Sequence, residues 1–243
     1  MRSVIILFAG VGLGLVGCRP SHQQAPSPVK PSTTQPATVA EPLPEAEPVV
    51  SADAVLYSED FEGVEVGSIP DDFMVLEGEF AVREQGGNSV LHLPGQPLST
   101  FSVLVGPSVT DNVAIRAKIH SGATRRRFNA FGVGLGGVAG VQVLLEPAKE
   151  KLTLSVEEAF VADVPAEWSP TSWTQFHLEV VKTAEEKWQI RGKVWPAEAD
   201  EPAEWHITHD LAEEPLTGQP SLWGIPYAGK DIEFDDVEVR SLN

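Results

Sequence analysis

The side chains best placed to do chemistry are carboxylates. Asp235 and Asp236 are adjacent in Ile232-Glu-Phe-Asp-Asp-Val-Glu-Val239. Ile232 and Phe234 share one parity and Val237 and Val239 the other, so a continuous strand would send the two pairs to opposite faces. A β-bulge at Asp235-Asp236 repairs the register, and a bulge that turns neighbouring carboxylates outward can hold a hard cation. A second acidic run, Glu198-Ala-Asp-Glu-Pro-Ala-Glu204, fails as a glycosidase pair. That reaction needs two carboxyl groups about 5–5.5 Å apart for retention, or about 6.5–9.5 Å for inversion. Pro202 interrupts any strand that would aim these at one face, so the run reads as a solvated loop.

Other patterns point to binding rather than catalysis. Gly132-Val-Gly-Leu-Gly-Gly137 matches the G-x-G-x-x-G of dinucleotide sites, but that site needs a helix next. The succeeding residues, Val138-Ala-Gly-Val-Gln-Val-Leu-Leu145, have strand character, so the glycines read as a tight turn between close-packed strands and no nucleotide is expected. Of the six histidines only His206 and His209 are close, and three apart on a strand they face opposite ways. The six tryptophans all fall within 168–223. Trp173 and Trp188 are in phase with apolar neighbours and are assigned to packing. Trp195 and Trp205 flank the acidic loop, and Trp223 and Tyr227 flank Gly224-Ile-Pro226, so these four are the candidates for stacking on a sugar ring. Arg126, central in Arg125-Arg-Arg127, is a candidate contact for an anion or uronate; the same run also reads as a solvated turn that guards an edge.

These residues need a sheet to hold them. Alternation appears in Phe80–Arg83, Ser89–Leu93, Val113–Ile119, Leu152–Val156, Phe176–Val180 and Trp188–Val194. Period two, broken every eight to twelve residues or so by Gly, Pro, Asp or Asn, predicts an all-β, two-sheet antiparallel sandwich of about a dozen strands. Ala184-Glu-Glu-Lys187 reads as a hairpin turn rather than a helix. With 35 acidic residues against 17 basic, the net charge of −18 argues against binding nucleic acid, and the single cysteine excludes an internal disulfide.

The N-terminus carries an address. Met1-Arg-Ser3 precedes the apolar run Val4–Gly17 and then Cys18. A charged start and a short apolar stretch make a secretory signal, too short to span a bilayer comfortably. Leu15-Val16-Gly17-Cys18 resembles a bacterial lipobox, which implies cleavage before Cys18 and acylation of its thiol, and so a membrane as partner. Arg19 stands where an Asp would imply inner-membrane retention, so the resemblance leans toward the outer membrane. Residues 1–17 are thus the expected signal peptide and 18–53 a linker, with eight prolines between Arg19 and Ala52 and no aromatic residue there. The sandwich is expected over 54–243.

Tyr57-Ser-Glu-Asp-Phe-Glu-Gly63 and Gly67-Ser-Ile-Pro70 resemble the opening of concanavalin A-like lectin/glucanase domains. Gly224–Val239 resembles their closing strand, and Trp188–Pro196 with Pro202–Trp205 resembles a hairpin of their laminin-G-like bacterial members. The resemblance implies a jelly roll with neighbouring first and last strands, which would bring Asp60 beside Asp235 and Asp236 as ligands for a structural calcium ion. It implies function only broadly: binding of carbohydrate or another envelope ligand without catalysis, with a hydrolase resembling keto-disaccharide hydrolases and a protein-docking envelope module as alternatives.

Overall fold

Buried residues alternate with partly exposed ones along Ile115–Ser121, Val141–Glu146 and Lys151–Leu154, as strands with one face on a core require. The computed structural model describes residues 54–96, 99–125 and 127–242. The expected signal peptide, the linker with Cys18, and Arg126 lie outside them. In chain order the strands are β1 (Val55–Glu59), β2 (Met74–Glu77), β3 (Ala81–Gln85), β4 (Asn88–Leu93), β5 (Phe101–Leu104), β6 (Val113–Ser121), β7 (Ala123–Thr124), β8 (Arg127–Phe128) and β9 (Ala130–Leu135). They continue with β10 (Val141–Glu146), β11 (Lys151–Val156), β12 (Ala159–Pro165), β13 (Thr174–Ala184), β14 (Lys187–Pro196), β15 (Ile207–Leu211), β16 (Ser221–Ile225) and β17 (Ile232–Ser241). This exceeds a dozen because short pieces such as the two-residue β7 and β8 count separately. Among the described residues the one helical element is the 3-10 turn Pro147–Lys149.

One sheet has the order β15-β14-β13-β6-β17-β4-β3, with β1 also on β17; the other has the order β12-β11-β10-β9-β16-β5-β2. Their ladders are antiparallel throughout. The inner faces enclose one apolar core in which Phe61, Phe131, Phe176 and Phe234 are wholly buried. Each such ring contributes about 1.5–3 kcal/mol relative to leaving it exposed. The expected hairpin turn is present at Glu185-Glu186, between β13 and β14.

The bulge in the last strand is where parity placed it. The register of β17 against β6 shifts between Asp235 and Glu238, and Asp236 takes a left-handed φ of 46°. Ile232–Phe234 pair with β4, and Val237–Arg240 pair with β1, so the first and last strands adjoin as expected.

The glycine run divides its labour. Gly136 and Gly137 form the turn after β9, both at positive φ. Gly132 and Gly134 instead lie inside β9; a Cβ on Gly134 would stand 2.5 Å from Ser221 Oγ and 3.2 Å from Trp223 Nε1. Gly134 admits the Trp223 indole against the outer surface of the sheet, Trp223 being paired with Gly132 in the ladder, and Gly132 leaves room for the Val143 backbone.

Candidate functional site

The site begins with alternation in three neighbouring strands. In β6, β13 and β14 the even-numbered apolar positions Phe176, Leu178, Ile190 and Val194 and the odd-numbered Ile115 and Ile119 face the core. The intervening residues project from the opposite face. Register then lines them up. Lys118, Gln175 and Trp195 form one row across the strands, and Arg116, His177 and Lys193 form the next. On the other side of β6, β17 sets Asp235 opposite Lys118 and Glu238 opposite Arg116.

A recess of about 350 Å³ opens on this face, lined by Asp60, Arg116, Lys118, Gln175, Trp195 and Asp236, with Glu59 and Glu238 at its margin. Three of the residues singled out from sequence therefore meet here: Asp60, Asp236 and Trp195. Trp195 is only 8% exposed, so it walls the recess rather than offering an open platform. Asp236 is paired with the Lys118 ammonium, which raises the lysine's pKa through that hydrogen bond despite its partial burial.

Beside the recess lies an ion-pair cluster that sequence reasoning missed. Glu201, expected in a solvated loop, sends its carboxylate onto the sheet. Arg116 grips it with both terminal nitrogens, at 3.0 and 3.1 Å, and Lys193 Nζ stands 2.8 Å from Oε1. His177 Nδ1 is 3.1 Å from the same oxygen, while its Nε2 is 2.9 Å from Glu179. Lys193 and His177 are each 6% exposed. Burial disfavours the Glu201 anion, but hydrogen bonds from Lys193 and His177 and the charge of Arg116 outweigh it and hold the carboxyl at about 2. Trp205 packs edge-on against His177 at 4.9 Å and lies 4.4 Å from the Lys193 ammonium. Its indole supports the cluster next to the recess instead of lining it. The cue available in the sequence was the pair of alternating outward runs His177-x-Glu179 and Arg191-x-Lys193-x-Trp195 in strands with apolar inner faces.

The remaining expected residues are elsewhere. Trp223 is on β16, in the opposite sheet, 8% exposed, and its Nε1 donates to Ser221 Oγ at 2.8 Å. It is a packing residue, because small neighbours in β9 let the ring lie down on the strand. Tyr227 is 52% exposed in the turn between β16 and β17 and does not line the recess. Trp188, assigned to packing, is buried, with Nε1 donating to Asp111 Oδ2; Trp173 is half-buried and packs on His120.

The carboxylates Asp60, Asp235 and Asp236 do not assemble as a calcium cage. Asp235 accepts from Asn88 Nδ2 at 2.9 Å and from the Asp236 N–H, Asp236 faces Lys118, and Asp60 accepts from the Glu62 N–H. Among the described residues no group of three or more His, Cys, Asp or Glu is arranged to hold a metal ion. A larger hollow of about 750 Å³, walled by Phe128, Trp168 and three prolines, lies apart from this cluster of converging polar groups.

Comparison with solved structures settles the architecture. The carbohydrate recognition domain of Emp47p superposes with a TM-score of 0.54 at 10% identity, covering 80% of this chain and 99% of that one. A Bacillus subtilis protein of unknown function with a galectin-like fold gives 0.50 at 12%, covering 78% and 98%. The exoplasmic/lumenal domain of VIP36, in its Ca2+/Man-bound form, gives 0.51 at 10%, covering 76% and 89%. The chain has a concanavalin A-like jelly-roll fold. No family model matches the sequence, and no curated protein matches it. At such identities the jelly roll is what is shared, so the chemistry must come from this chain's own residues.

Proposed function

We propose that this protein is a carbohydrate-binding module of the bacterial cell envelope, held at the outer membrane by acyl chains on Cys18, with residues 18–53 as the spacer. The observation that carries the binding reading is the recess on the outer face of β6, β13, β14 and β17. It combines an indole wall at Trp195, an amide at Gln175, and charged groups of both signs. Sugars are held by that mixture: hydroxyls donate to carboxylates and to the Gln175 amide oxygen, whose NH2 is spent on backbone carbonyls, and accept from guanidinium and ammonium groups, while ring C–H faces meet an aromatic wall. Two of the proteins of similar fold carry this ligand class in their descriptions, one as a carbohydrate recognition domain and one bound to Ca2+ and Man.

The test is a glycan-binding screen on the purified chain, with calcium and with chelator, followed by mass analysis of each incubated sugar. Retention of intact sugar supports the reading, and silence across a broad panel overturns it. The anchor is tested separately: labelled palmitate should enter the wild type and not Cys18→Ser, and the variant should leave the membrane fraction.

A hydrolase is the second reading, for one reason. Burial lifts the Asp235 carboxyl above its ordinary range, directly beside Asp236. A buried carboxyl held above its ordinary range is suited to donate a proton as a general acid. Shortened sugars in the mass analysis would favour it.

A further inference from the structure

The Arg116–His177–Lys193 cluster is built like an anion-binding site, and the anion now in it comes from the protein's own loop. Two of its three nitrogen-bearing groups are more than nine-tenths buried, which is unusual for side chains on the outer face of a sheet. Lys193 is further enclosed by indoles, with Trp205 4.4 Å and Trp195 5.8 Å from its ammonium. The occupant is Glu201, whose side chain is still 33% exposed and which belongs to the connection between β14 and β15. The buried Lys193 ammonium therefore sits at the floor beside the His177 ring, and Arg116 and the tethered carboxylate, each about a third exposed, sit above it.

We infer that Glu201 is an internal stand-in for the carboxylate of an acidic sugar, and that the site takes hexuronate-containing glycans by exchanging one carboxylate for the other. The inference rests on the carbohydrate-binding reading and specifies its ligand class. If Glu201 left alone, the buried Lys193 would lose the carboxylate 2.8 Å from its ammonium, while Arg116 would keep Glu238, its cross-strand neighbour, and Glu179 would stay engaged with His177. Leaving a buried charge uncompensated is costly, so loop departure and ligand arrival must be coupled. A uronate meets every requirement. Its carboxylate matches the two-pronged guanidinium grip, and its ring follows the indole wall of Trp195. Arg116 belongs to both the cluster and the recess, so the remaining hydroxyls reach Gln175 and the acidic margin at Asp60, Asp236 and Glu238. The opposite polarity of the two ends fixes the sugar's direction.

Exchange also implies that Glu201 competes with ligand. A site open only a fraction of the time binds with its affinity reduced by that fraction. Glu201→Gln removes the competing charge while keeping the shape.

The experiment is calorimetric titration of the full chain in detergent with oligogalacturonate and with neutral gluco- and manno-oligosaccharides of equal length. The wild type should prefer the acidic oligomer. Glu201→Gln should raise affinity for it about tenfold, equivalent to one well-placed charged contact, and change neutral binding less than twofold. Arg116→Gln should erase the preference. Unchanged or weaker oligogalacturonate binding by a folded Glu201→Gln, with neutral sugars still bound, overturns the inference and leaves the binding reading standing. Failure of every sugar overturns both. Hydrogen exchange on the wild type gives a readout free of any variant: oligogalacturonate should speed exchange across residues 197–206, and unaltered or slower exchange there overturns the inference.

Discussion

The Lys193 ammonium stands 4.4 Å from the centre of the Trp205 ring and 2.8 Å from Pro202 O, so one buried cation organises the far side of a loop nine to twelve residues further on. A desolvated cation over an indole is worth about 2 kcal/mol, roughly the scale of a charged hydrogen bond. The loop after β14 is therefore tied down by charge at Glu201, by a carbonyl at Pro202 and by a ring at Trp205, all on the same side chain.

Glu201→Gln should lower stability at neutral pH by on the order of 1 kcal/mol, a figure discounted because the carboxylate is partly exposed to solvent screening. Its folded-state pKa is depressed from 4.5 to about 2, so the contribution is present above 4.5 and fades as pH falls through 2. Urea midpoints of wild type and variant should differ by a constant amount above pH 5 and converge in strong acid.

His120 titrates the other way. Its hydrogen bond with Glu233, 2.9 Å from Nδ1, raises its pKa above 6.5 against the opposing effect of burial. The stabilisation is complete below 6.5 and is lost as pH rises through the elevated value. Wild type should lose stability relative to His120→Gln as pH rises above 6.5, read as a change in the slope of midpoint against pH.

Trp195 and Trp223 are equally buried yet should fail differently. Trp195→Leu keeps an apolar wall and removes the indole; glycan affinity should fall about fivefold to tenfold, in line with the ~1 kcal/mol worth of an aromatic contact. Trp223→Ala should cost about 3–5 kcal/mol of stability by opening a cavity, while the folded fraction binds with wild-type affinity. Calorimetry of binding and of unfolding separates the two.

Gly134→Ala should destabilise by about 1–3 kcal/mol, because overpacking forces neighbours to move. The nearest obstacles include the Val141 carbonyl, 2.9 Å from the added carbon, which is backbone and cannot swing away. A lower melting temperature accompanied by a shift in Trp223 fluorescence checks it.

Local pattern was enough for the sheets, because burial on one face writes itself into parity. The Asp235-Asp236 bulge was readable for the same reason, since only an extra residue reconciles Phe234 with Val237. The site was harder. His177, Lys193 and Arg116 meet through registers among three strands, with Arg116 lying more than sixty positions before His177. No short motif encodes such a meeting. Glu201 looked solvated because Pro202 disqualifies it from a strand, which is correct, but a loop carboxylate can still fold back onto the face its neighbours present. Trp223 misled for the opposite reason. Its flanking Gly224 and Pro226 suggested an exposed turn, whereas the decisive glycine was Gly134, far back in the sequence on the neighbouring strand.

The last strand also governs the order in which the chain can become a protein. β17 pairs with β4 and β6 on one stretch and with β1 beyond its bulge, so the earliest and latest segments of the described chain complete each other. A nascent polypeptide that has not yet released Ile232–Ser241 lacks the seam on which three strands converge. Pairings this distant in sequence are slow to form, because loop closure comes before any reward. That delay suits the proposed export: a sandwich that cannot close before β17 is available stays threadable while the strands ahead of it cross the membrane.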